Sequence, residues 1–306
     1  TEEKDAAFLK LYDGHDWKWF AARLKHTDME YLRKHWSGKK ASVPMLEKKH
    51  DKYFLRFTYA EEVALNRTPV KEQTICSVDL GINTDAVCTI MRPDGTILGR
   101  KFINFPSDKD RMYRVLGRIR RFQREHGSRQ VQGRWAYAKR LNTELGKKIA
   151  REIVFYASEN RADVIVFEYL EMKGKLSGKK KQKLQMWRKR DIQKRCGQQA
   201  HRKGIRISRI CAWNTSRLAF DGSGKIDRDI QDHRLCTFQN GKRYNCDLSA
   251  SYNIGARYFI REILKPLPAT ERSLLEAKVP AVKRRTSCVY ADLRELISEM
   301  ELRKAA

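Results

Sequence analysis

The sequence contains no run that approaches the roughly 18 apolar residues needed to cross a bilayer. No signal peptide is visible either. We therefore expect no membrane span. Acidic residues are also scarce: the 37 Asp and Glu are outnumbered by 65 Lys and Arg, which gives a formal net charge of +28 at pH 7. Such a cationic chain indicates a polyanionic partner, usually nucleic acid, with an anionic membrane surface as the rival.

Paired cysteines are also missing. The seven cysteines are scattered through segments patterned as strands and helices, and no two of them are three positions apart. This pattern predicts reduced, intracellular thiols rather than a disulfide framework. A hydrophobic content of 41% over 306 residues is enough for a folded core in one large domain or two.

The first informative stretch is an apolar run, residues 74–78, that leads into Asp79 and Gly81. It reads as a strand that ends at a carboxylate, followed by a glycine that allows a turn or a close backbone approach. Residues 86–91 and 96–103 then flank Pro93-Asp94-Gly95, which predicts a β-hairpin. Taken alone, Asp79 could equally be an acid that starts a turn.

Two later segments also place an acid at the end of an element. The unbroken apolar run of residues 164–167 ends in Glu168, as in a central strand buried on both faces. Asp247 opens an amphipathic helix that runs to about Leu264. The whole order is three antiparallel strands, helix, strand, helix, strand, insertion and helix, which is the order of the RNase H-like fold.

In that order the first and fourth strands lie side by side and the last helix packs against them, so Asp79, Glu168 and Asp247 are expected to converge. Converging carboxylates can hold two divalent cations about 3.5–4 Å apart for phosphodiester cleavage. Mg²⁺, or Mn²⁺, suits oxygen ligands and needs few from the protein. Each acid considered alone also has an ordinary structural explanation. Glu168 could form a salt bridge at the end of a strand, and Asp247 could be an acid that stabilises a helix N-terminus.

Three motifs resemble the split motifs of the RuvC nuclease domain, most closely those of TnpB, a transposon-encoded RNA-guided nuclease, and of type V CRISPR effectors. They are Asp79-x-Gly81-x-Asn83, the run ending in Glu168, and Asp-x-Ser-Ala-x-x-Asn-Ile over residues 247–254. The resemblance implies that Asp79, Glu168 and Asp247 are catalytic metal ligands. It also implies guide RNA and target DNA as partners, and a cytoplasmic, nucleoid-associated prokaryotic protein.

Other functions stay open. A catalytically silent RNA-guided DNA-binding protein would share the motifs, and a RuvC-like resolvase or transposase would share the core without a guide. A basic structural RNA-binding protein is a further alternative. The three intact acids favour an RNA-guided DNA endonuclease.

The insertion departs from the family, whose members usually carry two Cys-x-x-Cys pairs there as a zinc knuckle. Here Thr215-Ser216 is followed by no cysteine pair, and Cys236 and Cys246 are ten positions apart. We therefore do not expect zinc, although Cys211, Cys236 and Cys246 are the candidate ligands.

The predicted organisation has five parts. Residues 1–70 form a helical segment plus a partial wedge-type β domain, with residues 1–40 helical and their aromatic side chains, such as Trp17 and Trp19, in a core. Residues 71–211 form an α/β core with a mixed five-stranded sheet and a basic helical insertion at 104–138. Residues 212–246 are a degenerate zinc-knuckle or target-nucleic-acid-binding region, residues 247–265 the third-motif helix, and residues 266–306 a helical tail.

Two basic tracts, at residues 111–140 and 173–195, flank the predicted site in sequence. Each could neutralise several phosphates, and near-absence of acids is unusual for a solvated helix. The candidate nucleic-acid-binding residues are Arg118, Arg121, Lys179, Lys180, Lys181, Arg188, Lys189 and Arg190.

Overall fold

The computed structural model describes residues 5–49, 51–127, 131–169, 189–284 and 286–305. The chain divides into two compact units, Thr1–Val63 and Ala64–Ala306. Among the described helices, none is long and apolar enough to cross a membrane.

The first unit consists of small antiparallel ribbons and one helix. Strand β1 pairs with β2, β3 with β6, and β4 with β5. The elements are β1 (Ala6–Tyr12), β2 (Trp17–Arg23), α1 (His26–Trp36), β3 (Lys40–Ala41), β4 (Met45–Lys49), β5 (Lys52–Arg56) and β6 (Tyr59–Ala60).

The prediction of a helix over all of residues 1–40 is wrong, because a hairpin occupies the first half. In β1, exposed and half-buried side chains alternate with a period of two. At the turn, the Asp13 carboxylate accepts hydrogen bonds from the backbone N–H groups of His15 and Asp16, at 2.9 and 2.8 Å. Gly14 adopts a φ of +105° there. This turn chemistry outweighs the helical spacing of the apolar residues.

The aromatic residues of this segment do not form the predicted core. Trp17, Trp19, Phe20 and Tyr31 are 45–68% exposed. A two-stranded ribbon can bury only one face, and Trp17 and Trp19 lie on the same face of β2. Trp36 is half-buried and stacks on Tyr59 at 5.1 Å between ring centroids.

The second unit is built on the five-stranded mixed sheet that the sequence predicts. Its order is β11-β10-β7-β8-β9. Strands β7 and β11 run parallel to β10, and the β7–β8 and β8–β9 pairs are antiparallel. The strands are β7 (Ile75–Asp79), β8 (Ala86–Met91), β9 (Ile97–Ile103), β10 (Val164–Tyr169) and β11 (Arg206–Cys211), preceded by a 3-10 turn at Val70–Glu72.

Helices cover both faces of this sheet. One face packs against α3 and α4, and the other against α5, α6 and α7. Helix α2 packs on α3 through its own small cluster. The helices are α2 (Pro106–His126), α3 (Gln132–Glu159), α4 (Lys189–His201), α5 (Cys246–Leu264), α6 (Ala269–Lys278) and α7 (Tyr290–Ala305), with a 3-10 turn at Pro280–Lys283.

Residues 212–246 form a small antiparallel sheet of their own, with β13 in the middle. A small cluster of buried side chains that includes Ala219, Cys236, Phe238 and Cys246 supports it. Its strands are β12 (Asp227–Arg228), β13 (Leu235–Thr237) and β14 (Arg243–Asn245). Apolar contacts therefore hold this insertion together within the described part of the chain.

Candidate active site

Two of the three predicted acids stand at the ends of adjacent parallel strands. All five residues of β7 are buried, and the strand ends at Asp79. Strand β10 runs beside it in the register Val78 with Phe167. The next residues along are Asp79 and Glu168, which therefore reach the same edge of the sheet.

The third acid comes from the start of α5. The side chain of Asn245 caps this helix by accepting a hydrogen bond from the Leu248 N–H at 2.9 Å. Asp247 lies in the first turn, where the helix dipole favours a negative charge. Gly255 lets the helix approach the sheet closely, since a Cβ there would lie 2.8 Å from the Met91 side chain.

The three acids line one cleft of about 270 Å³. Asp79 is 8% exposed and Glu168 is 7% exposed. The remaining lining residues come from the loop after β7, from α4 and from the insertion. They are Leu80, Gly81, Ile82, Asn83, Lys189, Ser216, Arg228 and His233.

The carboxylates of this cleft hold their protons more tightly than usual. Burial raises the pKa of Asp79 well above its usual range, and the charges of Glu168 and Asp247 raise it further. Burial also raises the pKa values of Glu168 and Asp247, opposed by hydrogen bonds from Thr215 and Thr84 respectively. The cleft therefore disfavours three ionised carboxylates in the absence of a bound cation, and Lys189 and Arg228 oppose this effect at Asp79 only in part.

The donor set suits a hard divalent cation. Asp79, Glu168 and Asp247 offer only carboxylate oxygens, the ligands that Mg²⁺ and Mn²⁺ favour. A cation would also offset the burial and the carboxylate repulsion that raise the Asp79 pKa. Among the described residues, however, no three His, Cys, Asp or Glu side chains are arranged to hold one metal ion. The site therefore fits ions that each take one or two protein carboxylates and complete their shell with water.

The loop after β11 holds the Glu168 side chain in place. Thr215 is 1% exposed, and its hydroxyl donates to the Glu168 carboxylate. The Asn253 side-chain amide donates to the backbone oxygens of Thr215 and Leu218, at 3.0 and 2.9 Å. Helix α5 thus fixes both Asp247 and the loop that orients Glu168.

Gly81 lies in the wall of the cleft, in the loop after β7. A Cβ at Gly81 would lie 2.4 Å from the Thr84 carbonyl oxygen, so a side chain does not fit there without moving the loop. The loop is also tied to α2, because the Lys109 ammonium donates to the Asn83 carbonyl oxygen at 2.6 Å. The close backbone approach predicted at Gly81 is present.

Four of the eight predicted nucleic-acid-binding residues belong to the described part of the chain. Arg118 and Arg121 are exposed on α2, and Arg190 is exposed on α4. Lys189 instead lines the cleft, where burial lowers its pKa to about 8 against the opposing effect of Glu168 and Asp79. Lys179, Lys180, Lys181 and Arg188 lie outside the described residues.

The candidate zinc ligands do not form one site among the described residues. Cys211 is exposed at the end of β11, whereas Cys236 and Cys246 are buried in the cluster of the insertion. The Cys236 thiol donates to the Tyr244 carbonyl oxygen at 3.4 Å. Burial raises the pKa of Cys246 to about 12, which disfavours the thiolate that zinc requires.

Sequence reasoning missed several residues around the acids. Arg228 and His233 reach the cleft from the insertion, which has no periodic pattern that would place them there. The sequence marks Thr215 only through the missing cysteine pair that follows it, and no pattern singles out Arg257 within the helix that Asp247 opens. The guanidinium of Arg257 is buried and donates to the backbone oxygens of Cys211, Trp213 and Cys288.

No protein-family model matches the sequence, and no curated protein matches it. Solved structures with a similar chain fold include a Cas12f1–sgRNA–target DNA complex, with 18% identity and a TM-score of 0.48 over 68% of this chain and 54% of that chain. A CRISPR-Cas12f ternary complex gives 15% identity and a TM-score of 0.46 over 76% and 49%.

A Cas12i–crRNA–dsDNA complex gives 10% identity and a TM-score of 0.45 over 98% of this chain and 52% of that chain. The chain thus spans about half the length of the solved chains that it matches.

The raised pKa of Asp79 gives a pH-dependent stability in metal-free protein. An Asp whose folded pKa exceeds the unfolded value of about 4 stabilises the fold below that value, and this contribution is lost as the pH rises through the folded pKa. In EDTA at about pH 7.5 we therefore expect the melting temperature of Asp79→Asn to lie a few °C above that of the wild type. For a unit of this size, a change of 1 kcal/mol in the free energy of unfolding shifts the melting temperature by about 2–4 °C. At about pH 4 the two should melt together.

Excess Mg²⁺ should reverse this order at the higher pH, because a ligand of the folded state at 100 times its Kd adds about 2.7 kcal/mol to the wild type alone. Scanning calorimetry measures both effects. If Asp79→Asn melts below the wild type in EDTA at both pH values, ionisation of Asp79 does not destabilise the metal-free fold.

Proposed function

We propose that the chain is the nuclease part of an RNA-guided DNA endonuclease that hydrolyses phosphodiester bonds at Asp79, Glu168 and Asp247. The observation that carries the proposal is the meeting of these three acids in one cleft from β7, β10 and the first turn of α5. The sheet order β9-β8-β7-β10-β11 becomes 3-2-1-4-5 when its strands are counted along the chain, and this order supports an RNase H-like core. Of the residues that line the cleft, Asp79, Gly81, Asn83, Glu168 and Asp247 belong to the RuvC-like motifs.

Asp79, Glu168 and Asp247 would hold Mg²⁺ or Mn²⁺. When bound, such ions supply an activated water and stabilise the leaving oxygen. The chain's own residues orient the site: Thr215 holds the Glu168 carboxylate, and Thr84 donates to Asp247. Arg228 and Lys189 place positive charge beside the acids, where the phosphate of a substrate would lie.

Guide RNA and target DNA are the proposed partners. In this scheme base pairing reads the target sequence, and the protein holds the duplex by its backbone. The net charge of +28 and the exposed Arg118 and Arg121 on α2 support backbone contacts of this kind. The first unit would correspond to part of a wedge domain, and residues 212–246 to a target-nucleic-acid-binding region, in a cytoplasmic, nucleoid-associated prokaryotic protein.

A catalytically silent RNA-guided DNA-binding protein is the second candidate. It would need the same basic surface, including the exposed Arg118 and Arg121 of α2, and no metal at the three acids. A third candidate is a RuvC-like resolvase or transposase, which acts without a guide. Bound guide RNA would distinguish both guided candidates from it.

The test is to purify the protein from its native expression context and to sequence the RNA that copurifies with it. Cleavage of matching DNA is then measured in Mg²⁺ and in EDTA. We expect a defined RNA and Mg²⁺-dependent cleavage of the matching DNA only. Absence of RNA would contradict the guided function, and guided binding without cleavage would establish the silent alternative.

A further inference from the structure

A second cleft of about 520 Å³ opens beside the candidate active site. It shares Ser216 and Arg228 with the cleft of the three acids, so the two clefts adjoin. Its volume is within the range of about 300–1,000 Å³ that is usual for ligand sites. The polar and aromatic residues of its lining include Trp213, Ser216, Arg217, Lys225 and Arg228.

The cleft combines an aromatic surface with positive charge. The side chain of Trp213 is 66% exposed. Arg217, Lys225 and Arg228 supply three cations, and none of the described lining residues is acidic. Within the described part of the chain, neither Arg217 nor Lys225 forms a salt bridge, so no carboxylate neutralises them there.

Trp213 is exposed, but its backbone is fixed. Its carbonyl oxygen accepts a hydrogen bond of 2.6 Å from Arg257, which is 4% exposed and also binds Cys211. Two residues later, Thr215 is bound to Glu168. The indole is therefore attached to the same short loop that orients a catalytic acid, and α5 anchors this loop.

We propose that Trp213 is a stacking platform for an unpaired nucleobase next to the phosphate in the candidate active site, with Arg217 binding a backbone phosphate. An exposed aromatic ring accepts any base by stacking, and adjacent cations follow the sugar–phosphate backbone. Trp213 thus acts as a positioning residue that sets which phosphate meets the three acids. This assignment rests on the proposed nuclease function.

The test is a binding cycle with two probes, a fluorescein-labelled hexathymidylate and the same six-residue backbone without bases. Fluorescence anisotropy is measured on the full chain in Ca²⁺ with Mg²⁺ omitted, so the readout does not require cleavage. We expect Trp213→Ala to weaken binding of hexathymidylate about 5- to 100-fold and to leave the abasic probe nearly unchanged. Trp213→Phe should retain most of the preference for bases.

Two further variants separate stacking from charge and from general aromatic contact. Arg217→Gln should weaken both probes by a similar factor and reduce the salt slope by about 1. Trp19→Ala, which removes a Trp that is 68% exposed in the first unit, should leave the preference for bases intact.

The proposal is overturned if the wild type shows no preference for hexathymidylate, or if Trp213→Ala weakens both probes equally. These outcomes do not depend on the nuclease function. If Asp79→Ala still cuts DNA while the binding cycle holds, the proposed function fails and the stacking site stands.

Discussion

Replacing Asp79 with alanine is expected to lower the rate of DNA cleavage at least about 1,000-fold, because several kcal/mol of transition-state stabilisation depend on a cation held there. Burial raises the pKa of Asp79 and the charges of Glu168 and Asp247 raise it further, so the Asp79 carboxylate lies within electrostatic range of both other acids. The measurement is single-turnover cleavage of matched DNA in Mg²⁺ by wild type and variant, each loaded with its RNA.

A matched control lies at the other end of the sheet. Asp163 precedes β10 and is half-buried; its carboxylate accepts hydrogen bonds from the Thr68 hydroxyl at 2.5 Å and the Thr74 N–H at 2.9 Å. Asp163→Asn should lose some stability and keep its cleavage rate. A similar rate for Asp79→Ala and wild type would remove Asp79 from the catalytic site, and equal losses in both variants would indicate a folding defect.

Replacing Arg257 with methionine is expected to lower the free energy of unfolding by about 3–5 kcal/mol, because three carbonyl oxygens lose the hydrogen bonds that this buried guanidinium donates. These belong to Cys211, Trp213 and Cys288 and join α5 to β11 and to the segment before α7. Chemical denaturation followed by fluorescence and circular dichroism measures the change.

Arg272→Met is the control for loss of an arginine from a helix. Arg272 pairs with Glu276 one turn along α6 at 2.7 Å, and its side chain is 40% exposed. Loss of such a pair should change stability by no more than about 0.5 kcal/mol. Equal effects of the two substitutions would show that the buried hydrogen bonds of Arg257 contribute little.

The acids could be placed from sequence because each ends or begins an element with a strong pattern. The fully apolar run before Glu168 and the helix after Asp247 define the two elements that bring these residues to Asp79. Strand register and helix packing then follow from burial of both sheet faces, as in the clusters on either side of β7.

The surroundings of the acids could not be predicted, because irregular chain carries them. Arg228 comes from a two-residue strand, and His233 from a loop in which the Asp229 carboxylate binds backbone N–H groups. The helix predicted over residues 1–40 failed for a related reason, because β1 and β2 form a hairpin there. This hairpin depends on the turn at Asp13 and Gly14 rather than on a buried face.

Electron paramagnetic resonance can count the Mn²⁺ ions bound to wild type, Asp79→Asn and Asp163→Asn, and so tests directly whether the three acids form a metal site. We expect wild type and Asp163→Asn to bind Mn²⁺ at the cleft, and Asp79→Asn to lose this binding. Equal binding of Mn²⁺ by wild type and Asp79→Asn would contradict the assignment of Asp79, Glu168 and Asp247 as a metal site.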